Sequence, residues 1–177
     1  IIFLGAKSIS GSTLASAGQT GRTGYSGSGS DVTALSNALN AKNSTTNYEP
    51  IAGSSQVNTN KTFYYDTDLT THNDALSSGK TDFYSVMVHE IGHVMGFSNT
   101  KNAWIANTSG SFWTGANAKA EYNNQNVPLY STSHWDKTPA SGTLDTSKIN
   151  CACHPSMLPS IGVNTRTSFS ALDFALL

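Results

Sequence analysis

Apolar residues recur along this chain in short, separated bursts, and one stretch alone carries a long helical period. Between Thr81 and Gly96, at about 100° per residue, Phe83, Met87, Ile91, Val94 and Met95 gather on one broad face, while Ser85, His89, Gly92 and His93 fall on the other. The spacing predicts a helix buried on its apolar side that presents both histidines to an open cleft. Gly96 ends it, since glycine enters left-handed backbone without a steric penalty. A weaker helix starts at Asp31, which can cap its first turn, with Val32, Leu35 and Leu39 on one side and the polar run 43–47 as its stop. Phe63, Tyr64 and Tyr65 between polar ends fit a short strand, followed by a turn at Asp66-Thr67-Asp68. Residues 18–30, rich in Gly, Ser and Thr, read as an irregular loop. From 99 to 133 the chain is polar with three isolated aromatics, Trp104, Phe112 and Trp113, and reads as a long excursion with little regular structure. Residues 168–177 carry a final helical pattern with no stop signal, so the natural chain is expected to continue beyond Leu177.

Length adds that 177 residues suit one domain, here with an N-terminal subdomain over 1–98 and a C-terminal one over 99–177. A formal charge of -1 with 12% charged residues argues against nucleic acid or an anionic membrane as partner. Polarity comes instead from Ser, Thr and Asn, about a third of the chain, a surface more usual in secreted proteins. No run approaches the ~18 apolar residues of a membrane span, and Ile1-Ile2-Phe3-Leu4 lacks the flanks of a signal peptide, which an exported protein would have lost already. Cys151 and Cys153 can form a strained disulfide, stay free or hold a metal; one Cys-x-Cys lacks the second pair of a structural zinc site. Asp66 and Asp68 either contribute to a calcium site or accept hydrogen bonds from their own turn.

Candidate chemistry lies in His89-Glu90-Ile91-Gly92-His93, an HExxH pattern. On a helix, positions four apart stack one turn above each other, so two imidazoles can approach one zinc ion while Glu90, one place out of that row, reaches a zinc-bound water without ligating the metal. Zinc lowers the pKa of that water toward ~7, and the carboxylate takes its proton as a peptide carbonyl is attacked. With five His in 177 residues, random placement would give this pattern roughly once in 400 such chains.

Two histidines do not complete a catalytic zinc site, which needs three protein ligands. The segment His89-Glu90-Ile91-Gly92-His93-Val94-Met95-Gly96-Phe97 resembles the HExxHxxGF start of leishmanolysin-like metzincins, in which an insertion separates the glycine from the third histidine. It resembles more closely a group of bacterial exported HExxH metalloproteases with a downstream Ser-His-Trp, a Met turn and a terminal helix. Here these correspond to Ser133-His134-Trp135, Ser156-Met157-Leu158-Pro159 and Ala171-Leu172-Asp173, and the likeness covers roughly residues 60–177. Asn99 stands where the compact form of the signature has its third histidine.

The resemblance implies His134 as third zinc ligand with His89 and His93, and Met157 as the methionine beneath the metal. It also implies an α+β, metzincin-like zincin fold with an N-terminal twisted sheet, two helices and an irregular C-terminal subdomain. His154 and, in a gluzincin arrangement, Glu121 compete as ligands; His72 is most simply a solvated loop residue. Tyr130 is a candidate transition-state donor, and the strand around Phe63–Tyr65 a candidate edge for an extended substrate. The expectation is a monomeric, secreted zinc endopeptidase acting on protein or peptide, with Glu90 as general base. An aminopeptidase or other zinc hydrolase, and a non-catalytic surface binding module on the same fold, are the alternatives.

Overall fold

A computed structural model describes residues 2–19, 29–42, 44–46, 52–68, 70, 76–131, 133–136, 144–149 and 155–176. Three strands build the N-terminal part: β1 (Ile2–Lys7), β2 (Ala15–Gln19) and β3 (Gly53–Asn58). They lie in the order β1-β3-β2, with β1 parallel to β3 from Ile2 opposite Gly53, and β2 antiparallel to it from Ala15 opposite Val57. Buried Asn58 closes the β1–β2 connection, donating to the carbonyls of Ile9 (2.9 Å) and Thr13 (2.7 Å) and accepting from the Ile9 amide. Between β2 and β3 in the chain runs helix α1 (Ser30–Ala41), which starts one residue before Asp31 and leaves Leu35 47% exposed.

Next come β4 (Phe63–Tyr64) and β5 (Thr81–Asp82), a two-residue parallel pair, and helix α2 (Phe83–Met95). The helix starts two residues after Thr81 because Thr81 and Asp82 are strand; extended Asp82 caps it, accepting from Ser85 N (3.1 Å) and Ser85 Oγ (2.7 Å). Gly96 ends it at φ 144°. Gln19 at the end of β2 donates its amide to the carbonyls of His93 and Val94, satisfying last-turn acceptors and fastening α2 to the sheet. Gly53 permits this close approach, because a Cβ there would collide with Val94.

Fully buried Asp82 is also gripped by Arg166, through Nε to Oδ2 and Nη2 to Oδ1 at 3.1 Å each, while Arg166 Nη1 reaches Asp66 Oδ2 at 2.6 Å. Arg166 therefore joins the start of α2 to the turn at 66–68 and to the C-terminal segment. Arg166→Ala should destabilise the protein by about 3–5 kcal/mol, because it strands a buried carboxylate without its counter-ion. Urea unfolding of the variant checks this; a loss under about 1 kcal/mol would contradict the role, being the size of an exposed ion pair.

The segment 99–133 is not the unstructured excursion its composition suggests. It contains α3 (Asn102–Ala106), β6 (Thr108–Ser109), β7 (Phe112–Trp113), α4 (Ala116–Glu121) and β8 (Val127–Tyr130), and continues into β9 (His134–Trp135). The strands form an antiparallel meander in the order β6-β7-β8-β9. Helix α3 and strands β7, β8 and β9 contribute large apolar side chains, and Trp104, Trp113, Val127, Leu129 and Trp135 meet Phe97, Met157 and Leu172 in one buried core. The terminal helix is likewise shorter than expected: α5 (Ala171–Phe174) is one turn, fixed by a reciprocal capping box between Ser170 and Asp173. The architecture is mixed α+β. Among the described residues, no helix is long and apolar enough to cross a membrane.

Candidate metal centre

Burial of α2 departs from the expectation from periodicity. Val94 is buried as expected, but Phe83, Met87, Ile91 and Met95 are half-buried, whereas Ser85, His89 and Gly92 are buried and His93 is half-buried. The C-terminal segment packs on the small-residue face: Ser85 Oγ accepts from Thr167 N (2.7 Å), and the Met157 sulfur lies where a Cβ at Gly92 would stand, with Phe169 Cε1 3.2 Å from that position. Glycine in mid-helix is costly by itself, and here it lets fully buried Met157 lie beneath the turn that joins the two histidines.

Strand β9 returns His134 to this face. His89 Nε2 lies 3.2 Å from His93 Nε2 and 3.2 Å from His134 Nε2, and the ligand atoms of all three lie within 4.8 Å of one another. Outer nitrogens fix the tautomers. His89 Nδ1 donates to the Ser156 carbonyl (2.8 Å) and His93 Nδ1 to the Phe97 carbonyl (2.7 Å), because a carbonyl can only accept; Ser133 Oγ lies 3.2 Å from His134 Nδ1. The Nε2 lone pairs of His89 and His93 therefore face inward and repel unless a cation sits among them. This donor set fits a metal ion.

Electrostatics point the same way. Burial, then the charge of His93, lowers His89 to about 4 against the bond to Ser156; burial, then His93 and His89, lowers His134 to about 3; burial lowers His93. The rings are neutral at physiological pH, the form in which imidazole binds metals. Glu90, 6% exposed, points its chemistry at the same cleft, and burial pushes its carboxyl up to about 7.

The cleft above the histidines, about 580 Å³, has His89, Glu90, His93 and His134 among its lining residues. Leu14–Ala17, leading into and along β2, and Leu158–Ile161, following Met157, flank it on two sides. The β2 border carries no signal in sequence, since Ala15, Ser16 and Ala17 are too small to mark a binding strand, whereas Leu158 and Pro159 belong to the turn that the resemblance singles out. The candidate substrate edge at Phe63–Tyr65 pairs with β5 through Phe63 and Tyr64, and none of its three residues is among those lining this cleft.

The other candidates fall elsewhere. Glu121 ends α4 and is no part of the histidine cluster. Asn99 is an exposed turn residue. Tyr130, 42% exposed, is the cross-strand partner of His134. Asp66 is engaged by Arg166 and the Asp68 amide, and Asp68 by the amide and hydroxyl of Thr70, so both carboxylates accept bonds from protein donors. His72, His154, Cys151 and Cys153 lie outside the described residues. Comparison with protein-family models, with curated proteins and with solved structures returned no match for this chain.

Proposed function

We propose that this protein is a secreted zinc endopeptidase of metzincin type, with His89, His93 and His134 as metal ligands and Glu90 as general base. The observation that carries the reading is the convergence of three imidazole nitrogens, two of them with fixed inward lone pairs, beside a buried carboxylate. Three nitrogen donors suit zinc, and a bound zinc ion supplies Lewis-acid polarisation of a carbonyl and a water of lowered pKa. Glu90 accepts the proton of the attacking water and hands it to the leaving amine. A peptide lies extended between β2 and residues 158–161, adding to the edge of β2 that β3 leaves unpaired in the sheet order.

Casein digestion tests the reading: cleavage that a chelator abolishes and added zinc restores supports it, and a zinc-loaded protein that cleaves nothing favours a binding module.

The two kinds of shifted group separate metal binding from turnover as pH falls. Because His89 and His134 take up protons only toward about 4 and 3, and burial lowers His93 as well, zinc affinity should fall less between about pH 7.5 and about pH 5 than at a site of ordinary imidazoles of pKa 6.5. Turnover should fall earlier. The ionised form of Glu90 is the active one, so activity is present above its pKa and lost below it. A neighbouring cation draws that pKa back from about 7 toward the ordinary 4.5, placing the acid limb between the two. Chelator competition and kcat/KM profiles measure both; turnover that stays flat down to about pH 4 would remove Glu90 as the base.

A further inference from the structure

Asp173 is a fully buried carboxylate that the hydrolytic scheme does not use. Its Oδ2 accepts from Ser156 N, Ser170 N and Ser170 Oγ at 2.8 Å each, and its Oδ1 accepts from Trp135 Nε1 at 2.8 Å and Met157 N at 3.4 Å. Helix capping explains the bonds to Ser170. The other three bonds lead to the metal centre by two routes.

One route runs through backbone. The peptide whose carbonyl accepts from His89 Nδ1 is the Ser156–Met157 unit, and Asp173 holds the amide of Ser156 on one side and that of Met157 on the other. An acceptor of the Met157 N–H polarises the Ser156 carbonyl of the same peptide, so negative charge at Asp173 strengthens the bond that orients His89. The other route runs through a side chain. Trp135, fully buried, follows His134 in β9, and its indole is tied to Asp173 while its amide donates to the Met157 carbonyl (2.9 Å). The turn of α5 thus reaches a ligand on α2 and a ligand on β9 from one carboxylate.

We propose that Asp173 is a positioning residue of the metal centre: through the Ser156–Met157 peptide and the Trp135 indole, it sets the orientation of His89 and His134 together. It touches neither metal nor substrate. Outer-shell partners of this kind change metal affinity by about 10–100-fold when lost.

The inference rests on the reading that the three histidines hold a metal, and zinc affinity of the metal-free protein, measured by chelator competition below its melting temperature, tests the two separately. Asp173→Asn should weaken zinc by about 10–100-fold and alter the visible absorption of the Co²⁺-loaded protein. Trp135→Phe, which keeps the ring and removes the indole donor, should weaken zinc by less, and it carries the test if Asp173→Asn does not fold. Leu172→Ala, in the same helix turn, buried and apolar, should lower the melting temperature and leave zinc affinity within about twofold.

Unchanged affinity in folded Asp173→Asn or Trp135→Phe overturns the inference. So does an equal loss in Leu172→Ala, which would make the effect one of packing. A wild-type protein that binds no zinc overturns the metal centre itself.

Discussion

Glu90→Gln should lower peptide hydrolysis by a factor on the order of 10²–10⁴, the usual contribution of a positioned general base, and leave zinc binding intact. Glu90 is absent from the group of converging ligand atoms, and glutamine keeps its shape without a basic oxygen. Stability should not fall either. Burial raises the folded-state pKa of Glu90 to about 7 from the ordinary 4.5, so its contribution to stability is complete below 4.5 and is lost as pH rises through about 7. Glutamine resembles the protonated form, and at about pH 8 the metal-free variant should melt no lower than wild type. The outcome looked for is an inactive protein that binds zinc and is at least as stable. Retained turnover would end the proposed role of Glu90, and lost zinc would make it a ligand.

The part of the site that sequence discloses is the part written at helical spacing. His89 and His93 are four apart on a helix with a legible end at Gly96, so their convergence needs only local geometry. Placing His134 beside them depends on β9, a two-residue strand whose partner β8 and supporting Met157 carbonyl are remote or unmarked in sequence. Only the resemblance to Ser-His-Trp proteases singled it out.

Segment 99–133 hides its structure for a related reason. Strands of two to four residues and helices of five or six hold too few positions for a period to show, and each isolated tryptophan is in fact the core contribution of one such element. The burial of α2 failed differently. Its amphipathicity is real, but Ser85 and Gly92 are covered because small residues admit the C-terminal segment to close range, a tertiary effect with no periodic signature.

His134→Ala should cost more zinc affinity than the ~10–100-fold that loss of an outer-shell partner costs, since the remaining pair cannot supply the three protein ligands of a catalytic site. The fold should survive the change. His134 is half-buried, its neighbour Trp135 holds β9 to Asp173 and Met157, and removing one imidazole relieves the crowding of Nε2 atoms at 3.2 Å in the metal-free state. Melting with and without zinc separates the effects. Zinc at about a thousand times its Kd stabilises a protein that binds it only when folded by about 4 kcal/mol, a shift of several degrees for the wild type and little for the variant. The metal-free melting temperatures should be close. If zinc raises the melting temperature of His134→Ala as much as that of wild type, another side chain completes the site, and the convergence of these three rings is not what holds the metal.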